Sequence, residues 1–479
     1  MASPQPLASS LVPAGTRGRL LVAWLCLGVG LWSRDGTLAP LAMLGLLGCL
    51  TLLGLVGRSL EPSSAAAEAK AGPDELVPRS LWLLLLGVPM VLNLKSPIGS
   101  ALTPDTSWLP HSLLVVGLGA VGLYGVRRGD RGALALLAAL AYLAVGTYLL
   151  RHTPDPHIDV FDIQQRGAAE LLAGHDPYTV SYPNHYSPED TARFFGKLVT
   201  AIDAYPYPPL SLLLTTVGYR LCGDVRASFL VLHTLTGLLL YLLGRRRGLG
   251  LGLLCLHLLH PRGFLVIERA WTEPLLAACL ALWVAGRDLP RRKRPTLGAA
   301  LGEGVRLALL LSAKQYSALI LPLLVPVRFA PHWLRSRRWL AVALALTLTA
   351  GLLAAFLLWH PADFIADIVQ FQMRQPFRPD SLSFPALFYK LTDFQAPGAL
   401  AVVGAGLALA WVWRRLPDGT SGLLLGLLFA VVGVFVFAKQ AFCNYYYFVG
   451  VVMLLNVAVA REAATDAARV PAGASPEAQ

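Results

Sequence analysis

Residues 151–190 read RHTPDPHIDVFDIQQRGAAELLAGHDPYTVSYPNHYSPED, and the chain stays polar through TAIDAYPYPP before it turns apolar again near residue 208. Acidic residues dominate this loop, 151–207: Asp155, Asp159, Asp162, Glu170, Asp176, Glu189, Asp190 and Asp203, against Arg151, Arg166, Arg193 and Lys197. Leu, Ala, Val and Gly make up most of every other long segment. An acidic, proline-punctuated loop between apolar runs indicates that the chemistry of this chain lies at a membrane surface.

The composition indicates a polytopic all-α membrane protein. The 479 residues are 55% hydrophobic and only 14% charged, with a mean hydropathy of +0.58, whereas a soluble domain carries about 25% charged residues. The apolar runs of roughly 18–22 residues match the thickness of a bilayer as helices. The net charge of +12 comes from arginine clusters in short loops, so it favours membrane anchoring over nucleic-acid binding.

The apolar runs divide the chain into three regions. Residues 1–131 hold membrane helices of unassigned role and a linker at 58–79, residues 132–460 form the main module, and residues 461–479 read as a disordered tail. The candidate spans are about 19–33, 37–57, 80–95, 109–126, 132–150, 208–221, 225–244, 248–261, 266–286, 297–312, 315–329, 338–359, 397–414, 421–438 and 442–460.

Arginine clusters orient these spans. Arg127, Arg128 and Arg131, the triplet 245–247, the run 287–294, the cluster 335–338 and the pair 414–415 predict cytoplasmic loops. Loops 151–207 and 360–396 then fall outside, with the junctions at residues 314–315 and 439–440. A full crossing by 208–221 would put residues 245–247 on the wrong side, so we expect a re-entrant or surface helix there and about 14 full spans.

Asp159 and Asp162 lie where a helix is expected to begin in the first loop. IQQRGAAELLAG is a helical pattern, and Gly174 can close it in a left-handed conformation. A helix N-terminus favours a carboxylate, which predicts two ionised acids able to accept a proton. The alternative interpretation makes Asp162 an N-cap and Asp159 a solvated loop acid.

Further charges flank the apolar runs. Glu268, Arg269 and Glu273 in IERAWTEPLLA indicate a polar cavity or the interface, because charges at mid-bilayer cost about 2.5–3.5 kcal/mol each; a structural bridge between a glutamate and Arg269 is the alternative. Pro274 suits the first turn of a helix.

Two further stretches place a lysine at an outer junction. In AKQYSALILP and AKQAFCNYYYF, Lys314 with Gln315 and Lys439 with Gln440 lie at outer junctions. At these junctions the two lysines are expected to bind an anionic lipid partner. The alternative is that both side chains simply extend to the headgroups of bilayer lipids.

The second external loop, 360–396, begins amphipathically and contains Gln372, Arg374, Arg378 and Asp380. It is expected either to lie on the membrane and hold a headgroup or to be a plain surface loop. No HExxH, phosphate-binding or dinucleotide-binding motif occurs, so no cofactor is expected. A divalent cation shared by Asp159 and Glu273 stays open.

Taken together, these stretches resemble the GT-C-fold glycosyltransferases that use polyprenyl-phosphate sugars, and among them the family-87 mannosyltransferases. The resemblance rests on IDVFDIQQRGAAELLAGHDPY, YPYPPLSLLL, WTEPLLA, AKQYSALILPLL and KQAFCNYYYF, in that order over residues 132–460. It implies an inverting transfer with Asp159, or else Asp162, as the general base. Glu273 matches the second acid of that family, and the other candidates for substrate contact are Tyr207, Arg269, Lys314, Gln315, Lys439 and Gln440, with Arg374 in the second loop.

The resemblance further implies the partners and the location. The donor is a polyprenyl-phosphate sugar, with mannose as the expected sugar, and the acceptor is a lipid or a glycan. The protein is expected in a bacterial inner membrane, with its active site on the periplasmic side. A lipid or glycan transporter or flippase without catalysis is the rival class, and a non-catalytic scaffold is the third.

Overall fold

The computed structural model describes residues 12–13, 15–60, 78–95, 104–195, 201–289, 296–324, 338–413, 415–417 and 419–460. Most of the expected linker and the whole expected tail, 461–479, lie outside these residues. One helix, Pro40–Ser59, extends into the start of the expected linker and the next, Arg79–Lys95, begins at its last residue, so both ends of the expected linker are helical.

The chain is all-α, as its composition predicts. The one β element described is a two-residue antiparallel pair that joins Tyr182–Pro183 to Ala201–Ile202. The first helices are α1 (Thr16–Trp32), α2 (Pro40–Ser59), α3 (Arg79–Lys95), α4 (Pro104–Arg128), α5 (Gly132–His152), α6 (Asp159–Leu172), α7 (Pro188–Phe195), α8 (Pro209–Cys222), α9 (Arg226–Gly244), α10 (Gly250–Leu258) and α11 (Gly263–Glu268).

The second half continues with α12 (Glu273–Asp288), α13 (Leu297–Ala313), a 3-10 helix (Gln315–Ile320), α14 (Leu321–Leu324), α15 (Arg338–Leu357), α16 (Pro361–Ile365), α17 (Phe371–Arg374), α18 (Phe384–Thr392), α19 (Leu400–Trp413), α20 (Thr420–Val436) and α21 (Cys443–Val459). A short π-helical stretch, Ala366–Gln370, joins α16 to α17.

Several helices are long and apolar enough to cross a bilayer, so this is a membrane protein. Among the described residues there are five: Pro40–Ser59, Trp108–Arg128, Gly132–His152, Arg226–Arg247 and Trp339–Leu357. Leu137 and Leu140 of α5 are 60% and 54% exposed, which suits lipid rather than water. The expected count of about 14 is not shown, because other apolar runs are shorter, broken or only partly described.

The apolar run after α9 is interrupted. Helix α10 ends at Leu258, and the next helix, α11, begins only at Gly263. The amide of Asn93 on α3 donates to the Leu259 carbonyl at 2.9 Å, which satisfies one backbone acceptor that the break leaves open. The Trp24 ring on α1 packs edge-on against His260 with centroids 5.7 Å apart. The N-terminal helices thus pack against the main module at this interruption.

One end of the bundle is rich in arginine. Arg247 donates to the carbonyls of Ala458 and Val459 at 2.5 and 3.0 Å, and Arg246 donates to Asp288 at 2.9 Å. These carbonyls belong to helix C-termini, where a cation is favourable. We call this the arginine end.

Loops 151–207 and 360–396 meet at the other end of α9, and we call them the loop layer. Arg226, at the start of α9, donates to the Thr153 carbonyl at 2.7 Å. Within the layer, His360 Nδ1 lies 2.8 Å from Asp176 Oδ2. Helix α6 ends as expected, and Gly174 after it has a φ of 83°. Helix α8 has only 14 residues, and whether it crosses the membrane stays a prediction.

Asp367 links the two loops of the loop layer. Its Oδ2 accepts a hydrogen bond from the Tyr205 backbone amide at 2.6 Å. Burial raises the pKa of the Asp367 carboxyl to about 7; the Tyr205 bond opposes the rise, and the carboxylates of Asp363, Asp176 and Asp203 add to it. The folded protein therefore favours the protonated form of Asp367.

This predicts a specific pH dependence of stability. Because the folded pKa is above the unfolded value of 3.8, the stabilisation is complete below about pH 4 and is lost as the pH rises to about 7. Relative to Asp367→Asn, the wild-type melting temperature should fall across this window and level off above it. Thermal unfolding in detergent at a series of pH values measures this. Glu189→Gln, an exposed acid of the same layer, should keep the wild-type slope, and an unchanged slope in Asp367→Asn would contradict the assignment.

Candidate functional site

The backbone turns sharply between α11 and α12. The Ala270 amide donates to Ile267 O at 3.0 Å and the Trp271 amide donates to Val266 O at 3.1 Å, which is a Schellman motif. Ala270 holds the left-handed position with φ 53°, although an alanine pays roughly 1–2 kcal/mol there. The expected continuous span 266–286 is therefore wrong, because this turn divides it before Glu273.

Glu273 begins α12, as expected, with Pro274 in the first turn. Its side chain is fully buried, and its Oε1 forms an ion pair with Lys314 Nζ. The Tyr316 hydroxyl donates to the same oxygen at 3.2 Å. The Lys314 ammonium also lies 5.4 Å from the ring centres of Tyr316 and Tyr445. Lys314 is therefore bound to a carboxylate and two aromatic faces.

Glu268 and Arg269 do not form the expected alternative bridge among the described residues. Both carboxylate oxygens of Glu268 are buried without a hydrogen-bond partner there, and so is Nε of Arg269. The guanidinium of Arg269 lies 5.8 Å from the Trp271 ring centre. The turn thus leaves a buried carboxyl beside the Glu273 site without a direct counterion.

Asp159 is the first residue of α6, and its Oδ1 accepts the Val160 amide at 2.8 Å. Burial raises the pKa of the Asp159 carboxyl above its ordinary value; the Val160 bond and the charges of His185 and Arg378 oppose this, and Asp162 adds to it. The helix dipole alone predicts an ionised acid, whereas burial opposes ionisation. A carboxyl at such a position can accept a proton.

Asp162 lies one turn into α6, so it is not the N-cap, which is Ile158. Its Oδ2 pairs with His185 Nε2. The His185 ring packs edge-on against His157 at 4.8 Å, and His157 has a left-handed backbone with φ 47°. Asp162 therefore has a histidine partner of its own, whereas no cation is bound directly to Asp159 among the interactions described.

Tyr207 is influenced by the charges of both Asp159 and Glu273. Its pKa is raised well above the ordinary value, first by burial and then by the negative charges of Asp159 and Glu273. The Gln315 side chain donates to the neighbouring Pro206 carbonyl at 3.0 Å. The structure thus brings Asp159, Tyr207, Glu273, Lys314 and Gln315 into one neighbourhood, although they come from three separate segments.

Lys439 and Gln440 hold loop 360–396 instead. Lys439 Nζ donates to the carbonyls of Met373 and Gln375 at 3.0 and 2.6 Å, and Gln440 Nε2 donates to Pro376 O at 2.8 Å. Burial lowers the pKa of Lys439. Arg374 is exposed and donates to Gln370 Oε1 at 2.7 Å. None of the hydrogen bonds described for these residues reaches Asp159.

Arg378, rather than Arg374, is the arginine of this loop that lies near Asp159. It binds Asp380 with two hydrogen bonds of 2.9 Å and donates to the Tyr186 hydroxyl at 3.3 Å. Burial raises the pKa of Tyr186 to about 12, and the charge of Asp159 raises it as well. Spacing alone does not separate Arg378 from Arg374, because both follow the same amphipathic stretch.

The site combines a carboxyl with a raised pKa, a buried ion pair and an arginine held by a carboxylate. Such a set can take a proton from a hydroxyl and stabilise negative charge on a phosphate. Among the described residues, no group of three or more His, Cys, Asp or Glu is arranged to hold a metal ion. The cation shared by Asp159 and Glu273 therefore stays an open expectation.

The Glu273–Lys314 pair predicts a double-mutant result. Lys314→Met should cost about 3–5 kcal/mol, because it leaves a buried carboxylate unpaired. Adding Glu273→Gln should recover much of the loss, since no charge then remains. Unfolding in a detergent–denaturant series measures each variant. Arg374→Met, an exposed cation, should change stability by no more than about 0.5 kcal/mol, and additive losses in the double variant would contradict the pairing.

Comparison with known proteins returns no relative. No family model, no curated protein and no solved structure matches the chain. What the site does is therefore inferred from its own residues and their geometry.

Proposed function

We propose that this chain is a membrane glycosyltransferase with a GT-C-like bundle in residues 132–460. It moves a sugar, mannose in the first instance, from a polyprenyl-phosphate donor to a lipid or glycan acceptor. The single observation that carries the proposal is that the charges of Asp159 and of Glu273, which is paired with Lys314, both raise the pKa of the same Tyr207. An acid near a buried cation and an arginine matches what phosphate departure requires.

The proposed reaction is one displacement with inversion. Asp159 takes the proton of the acceptor hydroxyl while the acceptor oxygen bonds to the anomeric carbon. The bond from that carbon to the phosphate oxygen breaks, and polyprenyl phosphate leaves with the electron pair. Arg378 and Lys314 supply positive charge for the departing phosphate, and Asp162 with His185 orients the first turn of α6. A positioned base contributes about 10²–10⁴ in rate.

The orientation in the membrane belongs to the same proposal. The arginine end faces the cytoplasm, because arginines in short loops are retained there, and the loop layer faces the periplasm. About 14 crossings, including the broken run of α10 and α11, complete this topology. The donor then presents its headgroup at a fixed depth beside α6.

Asp159→Asn tests the general base. The amide keeps the size of the carboxyl but cannot accept the proton, so transfer should fall by about 10²–10⁴. The measurement is transfer of radiolabelled mannose from polyprenyl-phosphate mannose to membrane lipids by purified protein, with donor binding followed separately. Glu189→Gln, an exposed acid in the same loop, should transfer at the wild-type rate.

Three outcomes would redirect or contradict the proposal. Unimpaired transfer by Asp159→Asn would remove that residue from the mechanism and make Asp162 the next candidate. Movement of intact lipid between leaflets without transfer would support the flippase instead. Wild-type protein that performs neither reaction on this donor would contradict the expected substrate.

A further inference from the structure

An apolar groove lies between α2, α19 and α20. Its volume is about 390 Å³, and its lining residues are all hydrophobic or glycine. Cavities of about 300–1,000 Å³ are typical of sites for small molecules. The surface of its lining is mostly apolar and no lining residue is charged, so a hydrocarbon fits it better than water does.

The groove follows one face of α20. The lining residues of this helix are Phe429, Val432, Gly433, Val436 and Phe437 at its end, spaced as one helical stripe. Eight steps of 1.5 Å give a length of about 12 Å, less than half of the roughly 30 Å hydrocarbon layer. The groove therefore runs from one end of the bundle only part of the way into the bilayer.

One end of the groove lies near the loop layer. The rings of Phe384 and Phe437, which line it there, are 5.6 Å apart. Lys439 follows two residues later, and its carbonyl accepts the Arg378 amide at 3.0 Å. Arg378 is the cation whose charge reaches Asp159. A lipid chain in the groove thus has its headgroup end beside the candidate site.

Glycines of α2 shape the wall of the groove that this helix forms. A Cβ added to Gly54 would meet no atom within 4 Å, so this position opens onto the groove. One turn further, a Cβ at Gly57 would meet the Trp411 ring at 2.3 Å, so ring and helix backbone are in close contact. Gly404 and Gly433 let α19 and α20 approach closely, since a Cβ at Gly404 would meet Gly433 O at 2.6 Å.

We propose that this groove binds part of the hydrocarbon chain of the lipid-linked donor, and that α2 is one wall of the substrate site. The inference rests on the proposed transferase function and gives a role to a helix outside the part of the chain that carries the family resemblance. Lipid and groove are equally apolar, so selectivity comes from packing against the shaped wall.

The test is photolabelling with a polyprenyl phosphate that carries a diazirine in the isoprenoid units nearest the phosphate. Mass spectrometry of the purified wild-type protein should find the label on α2 and α20. Gly54→Phe fills the groove without a backbone clash and should reduce this labelling about tenfold. Gly117→Phe is the matched control, because Gly117 on α4 is exposed and also has open space around its Cβ. It should label as the wild type does.

Kinetics supply a second measurement. Gly54→Phe should raise the KM for a full-length donor about tenfold and leave the KM for a donor truncated to one isoprene unit unchanged. A merely structural defect would affect both donors equally. Equal labelling by a phospholipid probe that excess polyprenyl phosphate does not displace would mean a bilayer lipid occupies the groove, and would overturn the proposal.

The two proposals fail in different ways. Normal transfer together with unchanged labelling in Gly54→Phe would contradict the groove proposal and leave the transferase proposal intact. Displaceable labelling of α2 and α20 in a wild-type protein that transfers no sugar would keep the donor-lipid groove and remove the enzyme.

Discussion

A fully buried carboxylate stays charged inside a helix bundle only if a cation lies against it. Glu273 meets this requirement with Lys314, which ties the first turn of α12 to the end of α13. Tyr316 adds a hydrogen bond to the same oxygen. Gln315, between these two partners, holds the Pro206 carbonyl at 3.0 Å. One ion pair inside the bundle thereby fixes the segment of loop 151–207 that carries Tyr207.

The position of Asp159 depends on the loop layer as a whole. Its two loops meet through Asp176 with His360, through Tyr205 with Asp367, and through Tyr186 with Arg378, pairs that are 184, 162 and 192 residues apart in the chain. Each contact joins polar groups that would otherwise be desolvated without a partner. The carboxyl of Asp159, at the start of α6, can keep a fixed distance to Glu273 only while these contacts hold.

The sequence predicts local features far better than pairings. Composition gives the all-α membrane class, and Gly174 and Pro274 mark helix boundaries through backbone chemistry that acts within a few residues. The turn after Glu268 was missed because an alanine, not a glycine, takes its left-handed position. The partner of Lys314 was missed because it lies 41 residues away.

The packing of the apolar helices is likewise not determined by local sequence. Both faces of a membrane helix are hydrophobic, one towards lipid and one towards protein, so hydrophobic periodicity says little about which face packs. In α2 the distinction lies in its small residues. A side chain at Gly57 has no room against Trp411, whereas Gly54 faces open space. Two glycines three residues apart therefore have opposite roles. Gly57 permits a close helix contact and Gly54 opens a groove, and only the neighbouring helices determine which role each glycine has.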